Sequence, residues 1–88
     1  MTAQKVEKQL KALANRRRLA ILIFLREKRE ASVGEIAREI HLSFKSTSRH
    51  LAVLSSLDIL EKDQRSLQVF YRIAKSQMPL AKYVLSLI

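Results

Sequence analysis

Residues 32–50 read Ser-Val-Gly-Glu-Ile-Ala-Arg-Glu-Ile-His-Leu-Ser-Phe-Lys-Ser-Thr-Ser-Arg-His, and the fold turns on this stretch. Ser32 is a good helix N-cap, and Glu35 three positions later completes a capping-box pattern. Ile36, Ala37 and Ile40 recur at helical spacing and form the buried stripe of a short amphipathic helix. The periodicity breaks at His41-Leu42-Ser43. A tight turn between two helices commonly needs a residue with positive φ, usually Gly. His41 holds that place here, and His is among the non-Gly residues enriched in that region. Ser43 caps a following helix that is expected to run to about Leu57. Its inward stripe is Thr47, Leu51, Leu54 and Leu57, while Lys45, Ser46, Ser48, Arg49 and Ala52 lie toward the other side. Two helices joined this way, the second opening in Ser, Thr, Lys and Arg, form the helix-turn-helix pattern and point to DNA.

Upstream, Val6, Leu10, Leu13 and Ala14 recur at helical spacing and predict a first helix over residues 4–14. Asn15 caps the next helix, which carries Leu19 and the run Ile21 to Leu25. That helix is apolar on most of its circumference, as a central buried helix must be. The charged run Arg26 to Glu30 ends it in solvent, and Ala31 to Val33 reads as a very short strand. Downstream, Ile59 to Lys62 and Leu67 to Ile73 read as two strands. In the second, Leu67, Val69, Tyr71 and Ile73 alternate with Gln68, Phe70 and Arg72, a period of two. Asp63 to Ser66 form a polar tip without the usual Gly, so the pair is a hairpin. Ser76 then caps a last helix with Pro79 near its first turn. Leu80, Tyr83, Val84, Leu87 and Ile88 make that helix apolar on one side. The expected fold is one domain over 1–88, mainly α (α+β). It is a winged helix-turn-helix with about five helices and a two-stranded β-hairpin wing.

The chain has 88 residues and a formal net charge of +9, which favours an acidic partner, nucleic acid first. Residues 1–30 hold nine basic and three acidic side chains, residues 31–60 three of each, and residues 61–88 five and two. The neutral middle third is polarised, because Lys45 and Arg49 meet no acid until Asp58. There is no cysteine, which excludes disulfides and thiolate metal sites. No apolar run approaches the roughly 20 residues that span a bilayer. The N-terminus has no signal-peptide layout, so a cytoplasmic, nucleoid-associated location is expected. A single Gly rules out a Gly-rich phosphate loop, and no acid pair stands beside a His on one helix face, so no enzyme is expected. His41 and His50 have no third ligand near either, so no metal or other cofactor is expected.

From about Leu10 to Ile73 the chain resembles the ArsR-like winged-helix repressors. The resemblance is carried by Leu10-Lys-Ala-Leu-Ala-Asn15 with Arg18-Leu-Ala-Ile-Leu22, and by Val33-Gly-Glu-Ile-Ala37. It continues through Leu42-Ser43, Ser48-Arg-His-Leu51 and Val53-Leu54, and ends in Val69-Phe-Tyr-Arg-Ile73. Asp58-Ile59-Leu60 stands at the family's common Gly-Leu-Val step, and Arg16 and Arg17 stand where the family usually has Pro and Thr. Many members sense metals. One of their sites uses Cys pairs at the positions of Ser32 and Gly34, which are not credible ligands. Another uses Asp, His and Glu on the last helix, and residues 76–88 contain none of these. Metal sensing therefore does not carry over.

The candidate DNA-reading face is Ser43, Phe44, Lys45, Ser46, Ser48 and Arg49. Arg and Lys can pair with guanine, and Ser can contact bases or phosphates. Phe44 either packs on a thymine methyl or staples the helix start. Lys62, Gln64 and Arg65 on the wing either reach phosphates or an adjacent groove, or form a solvated tip. Arg16, Arg17 and Arg18 lie at a helix N-terminus, where cations oppose the dipole. That placement suggests phosphate contact by one or two of them, with Arg17 and Arg18 the candidates. The alternative is an internal salt bridge, for which Arg18 is the first candidate. His50 serves packing or a phosphate. Val6, Leu10, Leu13, Tyr83, Val84, Leu87 and Ile88 are candidates for a homodimer interface. The expectation is a transcriptional regulator, a repressor, that binds a palindromic double-stranded operator as a homodimer. The alternative is a winged helix used as a protein-interaction module, and RNA binding ranks third because no stacking aromatic platform is visible.

Overall fold

Polar caps set the helix boundaries. Thr2, Asn15, Ser32 and Ser43 each accept backbone amide protons on their side chains, satisfying donors that a helix start leaves unpaired. The helices they open are α1 (Ala3–Leu13), α2 (Arg16–Lys28), α3 (Val33–Ile40) and α4 (Phe44–Ser56). In a computed structural model that describes residues 2–75 and 79–88, these combine with β1 (Ala31–Ser32), β2 (Leu60–Arg65), β3 (Gln68–Ile73) and α5 (Pro79–Ser86). The expected cap Ser76 lies outside the described residues. Ser32 forms the full capping box with Glu35. His41 ends α3 in the left-handed region at φ 56°, ψ 50°. Asp58 takes φ 58° and turns the chain from α4 into β2. Short polar side chains tolerate that region better than most.

The core draws on every element. Leu13, Ile21, Leu22, Leu25, Ala31, Val33, Ile36, Leu51, Leu54, Ile59, Leu60, Tyr71, Ala81 and Leu85 form one buried cluster. As expected, Thr47, Leu51 and Leu54 face inward from α4, and Leu57 is partly buried against the cluster. Gln9 is a buried polar residue of α1, and its Nε2 donates to the Leu57 carbonyl at 3.2 Å, tying α1 to the end of α4.

The sheet differs from a two-stranded wing. Its order is β1-β3-β2, all antiparallel, with Ala31 opposite Tyr71 and Ser32 opposite Phe70. The expected short strand thus becomes the third member of the sheet. The tip also moves. Arg65 pairs with Gln68, so Asp63, Gln64 and Arg65 belong to β2, and the turn is only Ser66-Leu67. Ser66 supplies the positive φ (58°) that a two-residue hairpin turn requires. Leu67, read as the first residue of the second strand, is instead 97% exposed in the turn.

Two further expectations need correction. Leu13 is buried in the chain's own core and is not available to a partner. In α5 the inward residues are Ala81 and Leu85, four apart on one face. Leu80 and Val84 flank them half-buried, Tyr83 faces solvent, and Leu87 and Ile88 lie beyond the helix end and are exposed. A small Ala escapes a search for large apolar residues, yet its size lets the helix approach the core closely.

Candidate nucleic-acid interface

The Ser43 hydroxyl accepts the Ser46 amide proton at 3.1 Å, and α4 begins at Phe44. With Thr47 and Leu51 turned into the core, Lys45, Arg49 and Ala52 fall on one exposed stripe. Ser46 and Ser48 are half-buried at its margins. Phe44 is 63% exposed at the mouth of the helix.

The Asn15 side-chain oxygen accepts the amides of Arg17 and Arg18 at 3.0 and 3.1 Å, which puts Arg16, Arg17 and Arg18 in the first turn of α2. Arg16 and Arg17 are exposed. Arg18 turns inward. Its Nε donates to His50 Nδ1 at 3.1 Å and its Nη1 to the Ala12 carbonyl at 3.3 Å. This is an internal contact of Arg18, made to an imidazole rather than to a carboxylate. His50 is held neutral. Burial lowers its pKa, and the positive charges of Arg18, Arg17 and Arg49 lower it further. The Arg18–His50 bond thus joins the start of α2, with exposed Arg16 and Arg17, to the helix that carries exposed Lys45 and Arg49.

The wing residues divide by strand alternation. Lys62 stands opposite Tyr71 and Gln64 opposite Val69, on the sheet face that carries the core. That face meets the helices, and α4 packs against β2. Asp63 and Arg65 stand on the outer face with Phe70. The Arg65 guanidinium grips Glu30 at 2.7 and 2.8 Å and Asp63 at 3.0 Å, and lies 4.6 Å from the centre of the Phe70 ring. Pairing with Glu30 and then Asp63 raises its pKa further, and the hydrogen bond from Arg65 lowers that of Glu30. The three wing candidates are therefore not one cluster. Lys62 and Gln64 share the side of α4, and Arg65 does not.

Sequence reasoning missed the partners of two candidates. Nothing local links Arg18 to His50, which are 32 residues apart. Glu30 was read as part of a solvated charged run, although its place just before a strand signal could have aligned it with the sheet. Among the described residues, no group of three His, Cys, Asp or Glu side chains is placed to hold a metal ion. Among the described residues, no helix is long and apolar enough to cross a membrane.

A family profile described as "Bacterial regulatory protein, arsR family" matches residues 15–62, from the α2 cap to Lys62 on the wing. "Transcriptional activator HlyU" of Vibrio cholerae is 35% identical over 85 residues, which cover 89% of this chain and 78% of that protein. The solved structure of HlyU from Vibrio cholerae superposes with a TM-score of 0.80 at 34% identity, covering 97% of this chain and 88% of that one. A DNA-binding domain from Mycobacterium bovis, described as a homodimeric winged helix-turn-helix, gives a TM-score of 0.79 at 31% identity, over 96% of this chain and 74% of that one. The AntR antimony-specific transcriptional repressor gives 0.82 at 27% identity, over 97% and 74%.

Proposed function

The chain belongs to the arsR family of bacterial regulatory proteins, and from that premise we propose a sequence-specific regulator that binds a palindromic double-stranded operator as a homodimer. The 43–57 segment lies in the major groove. Lys45 and Arg49 reach base edges, with Ser46 and Ser48 at their flanks, while Arg17 and Lys62 grip phosphates. The observation that carries this reading is the Arg18–His50 bond, which brings the start of α2, with exposed Arg17, against α4, with exposed Lys45 and Arg49. A duplex presents one negative charge per roughly 1.7 Å of axis and is the natural complement of these cations.

The dimer reading rests on the α1–α5 pair. There α1 packs on α5, and Leu10, Tyr83, Leu87 and Ile88 are exposed, with Val6 half-buried beside them. Clustered apolar exposure marks an interface more often than scattered single residues do. A two-fold dimer through this surface would set two α4 helices for half-sites about one DNA turn, roughly 34 Å, apart. Repression follows from occupancy, because a bound dimer excludes polymerase from overlapping DNA. HlyU is named an activator and AntR a repressor, so the direction for this chain is read by transcription from an operator-bearing promoter with and without the protein.

Selection of binding sites from a random duplex pool, with the mass of the complex measured alongside, tests the proposal. A palindrome occupied by two chains supports it. Absence of any enriched site at low salt overturns it. The same apolar surface would serve a protein-interaction module, and that reading gains if a complex captured by the chain survives nuclease treatment and Lys45/Arg49 charge reversal.

A further inference from the structure

Arg65 does not have the setting of a side chain that waits for DNA. Its two terminal nitrogens form parallel bonds to the two Glu30 oxygens at 2.7 and 2.8 Å, and its Nε is bonded to Asp63 at 3.0 Å. One face of the guanidinium lies over Phe70. A fork-on-fork pair with a stacked aromatic uses the geometric features that distinguish Arg from Lys. Three of its five guanidinium N–H donors are already engaged within the chain.

The network has a direction. Glu30 stands between α2 and β1, and its neighbour Ala31 is fully buried, so its backbone is anchored in the core. Arg65 is in the last residue pair before the hairpin turn. Arg72 extends the chain of charges, lying 3.9 Å from Glu30 and 3.1 Å from Glu61. Charges therefore run Asp63–Arg65–Glu30–Arg72–Glu61 across the outer face of the sheet and tie the distal wing to the α2–β1 junction. Lys62 and Gln64 occupy the other face of the same strand, toward α4.

We infer that Glu30 and Arg65 are positioning residues: they hold the wing from its outer face at the angle at which Lys62 and Gln64 meet the DNA backbone. The inference rests on the DNA-binding reading above and replaces Arg65 as a direct contact. The network lies on the exposed outer face, away from the buried core, and the melt of each variant separates loss of fold from loss of positioning.

The test is operator binding by fluorescence anisotropy as a function of salt, with thermal melts as a folding control. The variants are Glu30→Gln, Arg65→Ala, Arg65→Lys and Lys62→Ala, singly and in pairs with Lys62→Ala. Positioning requires Glu30→Gln and Arg65→Ala each to weaken binding about fivefold, and requires Lys62→Ala to cost almost nothing further in either background. Arg65→Lys should behave like Arg65→Ala, since it keeps the charge and loses the fork. A direct phosphate contact gives the opposite pattern: Glu30→Gln releases Arg65 and tightens binding, Arg65→Lys keeps most of the affinity, and Lys62→Ala retains its full cost. That pattern overturns the inference. So does a Lys62→Ala effect that is the same in every background. If Lys45→Ala and Arg49→Ala also leave binding unchanged, the DNA-binding reading itself has failed.

Discussion

Arg18 donates its Nε–H to His50 Nδ1 across 3.1 Å, and so links the first turn of α2 to the middle of α4. The bond requires a bare Nδ1, which places the proton of the neutral ring on Nε2. Protonating the ring removes the acceptor and adds a cation beside Arg17, Arg18 and Arg49.

A pH dependence follows, and its sign is fixed. The folded chain holds the His50 pKa below its ordinary 6.5, through burial first and the neighbouring arginines second. As pH falls, the unfolded chain takes up this proton before the folded one. The stability from neutral His50 is complete above about pH 6.5 and is lost as pH falls through the lowered folded value. Urea midpoints measured from about pH 7 down to pH 5 should decline, and His50→Gln should flatten that decline. An unchanged slope in His50→Gln would count against the link. Glu30 and Glu35 also have lowered pKa values, so their contributions are present above about 4.5 and are lost further into acid, in a separate window.

Base reading and phosphate grip should separate in mutants. Arg49→Ala is expected to lower discrimination between operator and random duplex by about 1–3 kcal/mol, the usual worth of a base contact. Lys62→Ala should weaken both duplexes about equally and reduce the slope of log K against log salt by about 0.9. Parallel titrations of the two duplexes at several salt concentrations check both. Equal losses on both duplexes in Arg49→Ala would remove it from the set of base readers.

Thr47 offers a stability test within the reading helix itself. Its side chain is fully buried, and its hydroxyl has no hydrogen-bond partner among the described residues. Thr47→Val keeps the shape and removes an unsatisfied polar atom, so the chain should gain about 1 kcal/mol. Denaturant midpoints read the gain. Because Thr47 faces away from the Lys45–Arg49 stripe, operator affinity should not change.

Leu13 and Tyr83 should behave oppositely, although both read from the sequence as interface residues. Leu13→Ala opens a hole in the core and should cost about 2–5 kcal/mol of folding stability. Tyr83 is exposed, so Tyr83→Glu should leave the melting temperature of the monomer near that of the parent and shift dimer to monomer. Melts and sedimentation of the two variants distinguish the outcomes. A dimer unaffected by Tyr83→Glu would place the interface elsewhere.

The legible parts of this fold were those where one short-range rule dominates. Asn15, Ser32 and Ser43 are caps because a side-chain oxygen reaches amides two or three residues on, and His41 turns the chain because its local conformation permits positive φ. The wing was less legible. Alternation correctly puts Val69, Tyr71 and Ile73 on one face, but the turn lacks Gly, and its place shifted from residues 63–66 to Ser66-Leu67 once the register was set by pairing. In α5 the prominent apolar residues drew attention from Ala81 and Leu85, which hold the helix to the core.

By itself the sequence determined the order of elements, the caps, the inward stripe of α4 and the basic stripe opposite it, because helical and strand periods are local. Tertiary structure alone decided which charges are spoken for. Arg18 is engaged by His50 from α4, and Arg65 by Glu30 from the α2–β1 junction. Both are partnerships between residues more than 30 positions apart. No spacing rule reaches that far; only the packing of α2 against the helix pair and of β1 against the wing brings them together.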